Sequence, residues 1–420
     1  MRIRNHLFIY LLILNQVLNA NIVIENASIW DGESQKQYLG NILIKDERIE
    51  NISNRKFQAE KTIDASGMII TPGFIAPDTK IGILEIGALA VTRDDSDDFY
   101  HIGFSIHDAY NPQSTLIPWN RSNGISSAIA TPSNGNLPIG GLASYYVLDG
   151  SLDIVSSKDI AMIGSIGGTN NSSRAKDLAL IEDLLSLAKD AIDININSSE
   201  EINEFIEDSA LANRLELLPR DIVALTKLVT KNIALIIDVH RASDILKIIE
   251  LQRNFDLRVV ISGGQESWMV ADAIANARIP VILDPLNNIP NSFDQLGARN
   301  NTAKLLDDAG VLVMFKVDRS HNYHLIRQGA GNAVANGLAY HSAINGLSSN
   351  VADVFKIKDR GKIKKGFYAD LIVWDGDPLE PASMPLYLFI NGEMMDLTSR
   401  STRLRDRYTN QNNIPNTYKD

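Results

Sequence analysis

The chain has 420 residues, of which 45% are hydrophobic and 22% are charged, and this composition is typical of a folded protein with a sizeable core. It contains no cysteine, which excludes disulfides, thiolate metal sites and cysteine nucleophiles. Its 51 acidic residues outnumber its 40 basic ones, and a net charge of −11 gives no general attraction for nucleic acid or an anionic membrane.

The first twenty residues have the pattern of an export signal. Arg2 and Arg4 precede the uninterrupted apolar run 7–14, and a more polar stretch then ends in the small residue Ala20. A secretory signal peptide has this order, whereas the apolar run is far shorter than the roughly 20 residues that span a bilayer. We therefore predict that residues 1–20 are a signal peptide and that the protein is periplasmic or secreted, without a membrane anchor. A membrane anchor or a buried first helix is the alternative.

Short strands separated by turn residues occur at both ends of the remaining chain. The expected strands are 22–24, 27–30, 41–45, 48–52, 371–374 and 386–391. This pattern of short strands and turns predicts one small β-sandwich domain that is built from both termini, over residues 21–71 and 360–400. Residues 401–420 are then a C-terminal tail.

The middle of the chain alternates apolar runs of strand length with helical periodicity. The expected strands are 124–131, 233–238, 257–261, 279–283 and 311–317, and the expected helices are 178–191, 242–255, 267–277 and 298–309. Apolar runs separated by helices indicate a parallel sheet covered on both faces, and the length favours an α/β fold of the TIM-like (β/α)8 barrel type over residues 72–359. No glycine-rich phosphate loop follows an early strand, which disfavours a dinucleotide-binding fold.

Four segments form a set of motifs in a fixed order. They are 69–80 (IITPGFIAPDTK), 240–245 (HRASDI), 329–338 (GAGNAVANGL) and 366–379 (GFYADLIVWDGDPL). Together they resemble the amidohydrolase superfamily, and in particular its imidazolonepropionase-like branch. The resemblance implies a barrel hydrolase acting on C–N bonds other than peptide bonds, such as those of small amides. It also implies the β-sandwich of both termini.

The same resemblance implies one or two divalent metals that activate a water molecule. Their usual ligands are a His-x-His pair after strand one, a histidine after each of strands five and six, and a final aspartate. In this chain Asp78 and Lys80 replace the pair, and Asp238 replaces the first histidine of the His-x-His that many relatives have at strand five. Gly263 replaces the histidine of strand six and has no donor atom. An ammonium at Lys80 repels a cation, so we predict no metal centre, with a weakly bound divalent metal such as zinc as the alternative.

Two residues keep positions that the resemblance assigns to the active site. Asp318 occupies the position of the final aspartate, which shuttles protons in the family. His240 matches the second histidine of strand five. Asp318 and His240 are therefore the candidate catalytic residues. The candidate pocket residues are Asp78, Lys80, Asp238 and His321. We expect an ion pair between Lys80 and Asp318 in the place of the metal.

Two functions fit these residues. The first is a hydrolase of small C–N bonds with a degenerate metal site. The alternative is a non-catalytic relative that binds a small ligand or an active partner subunit, as a homo- or hetero-oligomer. In either case the expected partner is a small molecule, and neither nucleic acid nor, after signal cleavage, a membrane is expected. Catalytic activity stays open at this point.

Overall fold

The computed structural model describes residues 21–97, 99, 102–133, 135–167, 173–319 and 321–409. The predicted signal peptide and residues 410–420 of the predicted tail lie outside the described residues. Among the described residues, no helix is both long and apolar enough to cross a membrane.

The strands of the described chain form two sheets. In chain order they are β1 (Ile22–Ile29), β2 (Tyr38–Lys45), β3 (Arg48–Ser53), β4 (Lys61–Asp64), β5 (Ile69–Pro72), β6 (Phe74–Thr79), β7 (Ile125–Ala130), β8 (Ile139–Val147), β9 (Ser156–Ser165), β10 (Ala234–Val239), β11 (Val259–Gly263), β12 (Val281–Leu283), β13 (Val313–Phe315), β14 (Leu371–Trp374), β15 (Pro385–Ile390) and β16 (Glu393–Met394).

The α-helices lie mainly in the middle of the chain. They are α1 (Leu116–Arg121), α2 (Arg174–Asp190), α3 (Ser199–Asp208), α4 (Ala210–Arg214), α5 (Pro219–Val229), α6 (Ala242–Phe255), α7 (Ala271–Ala277), α8 (Thr302–Asp308), α9 (Ile326–Ala335), α10 (Tyr340–Gly346), α11 (Ser349–Val354) and α12 (Arg400–Thr409). The described part of the predicted tail, residues 401–409, therefore lies entirely in a helix.

One sheet is built from both ends of the chain. Its strand order is β16-β15-β14-β5-β1-β2-β3, and β4 pairs with β1. β14 runs antiparallel to β5, with Leu371 opposite Pro72, so the two ends share one hydrogen-bonded ladder. Buried side chains from both ends form its core, among them Ile24, Ile42 and Phe389. The predicted small β domain of both termini is confirmed.

The predicted strands 22–24 and 27–30 are a single strand, β1, with an irregularity between them. Asn26 has a φ of 61°, and the pairing register with β2 shifts between Ile24 and Ala27. The Asn41 carboxamide oxygen accepts a hydrogen bond of 2.8 Å from the Asn26 backbone N–H, which satisfies the group that the bulge leaves unpaired.

The second sheet is a nearly closed barrel. Its strands follow one another from β6 to β13, and β13 also contacts β6. From β9 onward, neighbouring strands are parallel and each connection contains at least one α-helix. Parallel strands covered on both faces are expected to be almost continuously apolar, and five of the six residues of β10 (ALIIDV) are buried. The predicted (β/α)8 barrel is confirmed.

The first half of the barrel departs from regular alternation. β8 runs antiparallel to both β7 and β9. Neither β8 nor β9 was predicted as a strand. Two glycines with positive φ, Gly140 and Gly141, interrupt the apolar pattern of β8, and β9 begins with the polar residues 156–159. A search for apolar runs therefore passes over both strands.

A buried tryptophan and a buried arginine join the barrel to the small domain. The Trp374 indole N–H donates to Thr71 Oγ1 at 2.9 Å, and its ring stacks on Phe74 at the start of the barrel. Arg327 of α9 lies over the same ring and donates to the Ser383 carbonyl oxygen at 2.7 Å. These contacts fix where β6 begins, and so where its carboxyl end lies.

Candidate functional site

The candidate site lies where three barrel strands end. Asp78 is near the end of β6, Asp238 is near the end of β10, and Lys316 directly follows β13. The carboxyl ends of barrel strands are where active sites form in this architecture. Lys316 Nζ lies 3.2 Å from Asp78 Oδ2 and 3.4 Å from Asp238 Oδ2, so one ammonium joins carboxylates from two distant strands.

The three charges hold one another in the ionised state. The Lys316 side chain is 15% exposed, and those of Asp78 and Asp238 are 24% and 32% exposed. Burial alone raises the pKa of both carboxyls, but the Lys316 charge, together with Lys80 and Thr131 at Asp78 and with His240 at Asp238, outweighs it and lowers both values, that of Asp238 to about 2. Burial alone lowers the pKa of Lys316, but the two carboxylates outweigh it and hold the pKa above its ordinary value.

Two hydroxyl groups and an imidazole make further polar contacts with the two carboxylates. Thr131 Oγ1 donates to Asp78 Oδ1 at 2.7 Å, and Ser262 Oγ donates to Asp78 Oδ2 at 3.3 Å. His240 Nε2 lies 3.2 Å from Asp238 Oδ1 and 3.3 Å from the Gln295 amide nitrogen. His240 Nδ1 is buried and has no hydrogen-bond partner among the described residues.

The His240 ring fills the space beside Gly263. Gly263 has a φ of +86°, and a Cβ placed on it meets His240 Cε1 at 2.4 Å. A histidine at this position, which the family resemblance implies, therefore has no room while His240 keeps its place. The missing ligand of strand six is thus coupled to the orientation of the surviving histidine of strand five.

The expected ion pair between Lys80 and Asp318 is not formed. Lys80 Nζ instead donates to the Thr131 carbonyl oxygen at 2.6 Å, and the cation between the carboxylates is Lys316. Asp318 is exposed, and its backbone N–H donates to Asp284 Oδ2 at 3.2 Å. The sequence carried a signal for Lys316, because a lysine two residues before Asp318 projects to the same side at the end of an apolar strand.

The two neighbouring histidines of the sequence have described contacts with residues other than the charged cluster. His321 Nε2 is 3.0 Å from the Glu85 carbonyl oxygen, and His321 is not among the described residues that line the cavities at the site. His324 packs edge-on against Trp119, and burial lowers the pKa of His324 to about 4.

Two small cavities open beside the charged cluster. The first, here the Asp238 cavity, has a volume of about 190 Å³ and is lined by Asp78, Lys80, Thr131, Pro132, Ser133, Ile163, Gly164, Ile236, Asp238 and Ser262. The second, the Asp318 cavity, has a volume of about 240 Å³ and is lined by Asp78, Thr79, Lys80, Leu84, Asp95, Ser133, Lys316, Val317, Asp318, Arg319 and Tyr323. Both are smaller than the roughly 300–1,000 Å³ of pockets for drug-sized ligands, so they suit molecules of few heavy atoms.

The residues present do not fit the metal centre that the family resemblance implies. Lys316 Nζ contacts both carboxylates that stand at ligand positions, and its pKa keeps it cationic. Among the described residues, no group of three or more histidine, aspartate or glutamate side chains is arranged to hold a metal ion. A divalent cation here meets a fixed positive charge instead of a set of free donors.

Comparisons with known proteins agree with the architecture. Residues 269–395 match the family model described as the amidohydrolase family. The structure of an amidohydrolase from Thermotoga maritima superposes with a TM-score of 0.76 at 21% identity, covering 89% of this chain and 99% of that chain. The resemblance to the amidohydrolase superfamily is confirmed. The imidazolonepropionase-like branch stays a prediction.

Two other comparisons give a weaker superposition or a shorter match. A molinate hydrolase superposes with a TM-score of 0.54 at 14% identity, covering 90% of this chain and 95% of that chain. Among curated proteins, the amidohydrolase tasK of Hapsidospora irregularis is 34% identical over 95 residues. This match spans 22% of the present chain and 10% of that protein.

We expect Gly263→Ala to be unusually destabilising because its Cβ displaces the His240 ring. Gly310 is a matched control: its φ is +84°, against +86° at Gly263, but a Cβ there meets nothing within 4 Å. Gly310→Ala should cost about 1 kcal/mol from the positive φ alone, and Gly263→Ala at least about 1 kcal/mol more. Urea unfolding measures both. In a His240→Ala background, the additional destabilisation by Gly263→Ala should disappear. An equal loss of unfolding free energy at both glycines would contradict the described packing.

We expect Lys316→Met to destabilise the protein by roughly 2–4 kcal/mol at pH 7, because it leaves two facing carboxylates without their counter-charge. The wild-type carboxyls have lowered pKa values, so their contribution is present above about pH 4 and is lost as the pH falls through the folded values, about 2 for Asp238. In the Lys316→Met variant, burial instead raises the pKa of both carboxyls. The stability difference from the wild type should therefore shrink as the pH falls from 7 to 5.

Thermal unfolding across this pH range measures the effect. Lys158→Met is the control, because Lys158 pairs with Asp108 at 3.1 Å on the surface, where a single ion pair contributes at most about 1 kcal/mol. If Lys316→Met loses as little stability as Lys158→Met, or if its loss of stability does not change with pH, the buried ion pairs are not formed.

Proposed function

We propose that this amidohydrolase-like protein binds a small polar molecule at the mouth of its barrel and that the site works without a metal ion. One observation carries the proposal: the Lys316 ammonium lies within hydrogen-bond distance of Asp78 and Asp238, at the strand ends where the family resemblance places metal ligands. The charge that a metal supplies in such a site is already present as part of the chain.

The lining of the two cavities supports a polar ligand of few heavy atoms. Hydroxyl groups, carboxylates and cations surround both spaces, and Ser133, Asp78 and Lys80 line both. The ligand class that follows from the family resemblance is a small amide or an amino-acid derivative. The Lys80 ammonium has N–H groups beyond the one bound to the Thr131 carbonyl oxygen, and these are suited to recognising its carbonyl and carboxylate oxygens. The Thr131 and Ser133 hydroxyls donate to Asp78 and Asp95, so they are suited to accepting hydrogen bonds from its N–H groups.

A second candidate function is metal-free hydrolysis of a C–N bond in such a ligand. It is favoured by the exposed carboxylate of Asp318, which lines the same cavity as Lys80 and Lys316. In that case Asp318 accepts a proton from the attacking water, and the neighbouring ammonium groups stabilise the oxyanion that forms on the carbonyl. When the oxyanion collapses, the C–N bond breaks and Asp318 returns the proton to the leaving nitrogen. His240 then acts on Asp238 as a positioning residue.

Export and assembly are further parts of this proposal. Export is supported by the signal-like pattern of residues 1–20, and assembly as a homo- or hetero-oligomer remains a proposal without a described interface. N-terminal sequencing of the protein from its host and the mass of the purified protein in solution test these two points.

A thermal-shift screen of small amides, N-acyl amino acids and dipeptides tests ligand binding, and product analysis of the same mixtures tests hydrolysis. We expect at least one compound to raise the unfolding temperature, equally with added zinc or with a chelator. Ser133→Leu fills both cavities and should abolish the shift, whereas Ser186→Leu, on the exposed face of α2, should not. Turnover that is lost with the chelator and restored by zinc would contradict the proposal.

A further inference from the structure

Two lysines with very different surroundings line the cavities among the described residues. Lys316 is held by two carboxylates at 3.2 and 3.4 Å. Lys80 makes one hydrogen bond from its side chain, to the Thr131 carbonyl oxygen at 2.6 Å, and forms no ion pair within the described chain. A neutral amine keeps this bond through an N–H and leaves its lone pair free for a ligand.

We propose that Lys80 is a nucleophilic amine that condenses with the carbonyl group of a small aldehyde or ketone to form an imine. This inference rests on the proposed function, because it takes the same cavities as the ligand site and names the reactive class of ligand that they accept. Lys80 is placed for the reaction, since it lines both the Asp238 cavity and the Asp318 cavity.

The condensation needs no group from outside the site. The neutral Lys80 amine adds to the carbonyl carbon, a proton moves from nitrogen to the former carbonyl oxygen, and a carbinolamine results. Protonation of its hydroxyl, expulsion of one water and loss of the remaining N–H proton then give the neutral imine. No oxidant or reductant is consumed. Asp318 lines the same cavity as Lys80 and can exchange the protons that these steps require.

The electrostatics of the site raise the fraction of Lys80 that is a neutral amine above that of an ordinary lysine. Burial and, to a smaller extent, the neighbouring Lys316 charge lower the pKa of Lys80, while Asp78, Asp95 and Asp318 oppose the shift, and the resulting pKa is about 8. A nucleophilic lysine beside a second fixed cation is one of the known ways to activate an amine. Lys316 then has two roles: it neutralises the carboxylates and discourages protonation of Lys80.

The test is reductive trapping of the full chain. The protein is incubated at pH 7 with propanal and sodium cyanoborohydride, and the rate of propylation of each lysine is followed by peptide mass spectrometry. Lys80 should react about tenfold or more faster than an exposed lysine such as Lys36, because burial lowers the pKa of Lys80 and the cavities give a carbonyl compound access to its amine. Rates that are equal at Lys80 and Lys36, or lower at Lys80, would overturn the imine proposal.

Two variants separate reactivity from folding. Lys80→Arg keeps the cation and should leave the unfolding temperature and the labelling of surface lysines unchanged, while labelling at position 80 is lost. Ser133→Leu, which occupies both cavities, should slow the labelling of Lys80 to the rate of surface lysines. If Lys80 still reacts quickly in Ser133→Leu, the cavities are not the site of reaction and the inference fails.

Failure of the imine proposal can be distinguished from failure of the proposed ligand binding. Small amides that raise the unfolding temperature while Lys80 shows no selective labelling would leave the ligand site standing and remove the imine chemistry. Selective labelling of Lys80 with no amide binding would support the imine proposal and direct the search for ligands to carbonyl compounds.

Discussion

An ammonium group held between two carboxylates organises the mouth of this barrel. Lys316, Asp78 and Asp238 are each largely withdrawn from water, and each charge is tolerable only because the opposite charges are beside it. The three residues come from the ends of β13, β6 and β10, so their contact constrains strands on different sides of the barrel. The two small cavities are the space left around this cluster.

The changes at the expected ligand positions are compatible with one another. Gly263 removes a side chain, and the His240 ring occupies that space and reaches Asp238. The two aspartates supply negative charge, and Lys316 supplies a cation that is covalently part of the protein. Each of these residues alone would leave a charge or a hydrogen-bonding group without a partner, and the others supply that partner. The site is therefore a packed and hydrogen-bonded arrangement in its own right.

The architecture could be predicted from the sequence because its signals are local and repeated. Apolar strand runs separated by helical periodicity predicted the barrel, and strand texture at both termini predicted the small domain. Period-two spacing likewise placed Asp238 and His240 on one strand end. The antiparallel β8 and β9 were missed, because glycines and polar residues interrupt their apolar patterns. Lys80 was predicted as the cation of the site and Lys316 was missed, because long side chains from different strands reach the same centre and spacing does not say which one lies there.

The central claim is that the place of a metal ion is taken by Lys316, and anomalous scattering tests it most directly. Crystals of the protein grown with zinc chloride, with data collected above the zinc absorption edge, show metal positions independently of the atomic model. We predict no anomalous peak between Asp78 and Asp238 and continuous density for Lys316 Nζ between their oxygens. A strong peak at that point, with the Lys316 side chain turned away from the carboxylates, would contradict the account.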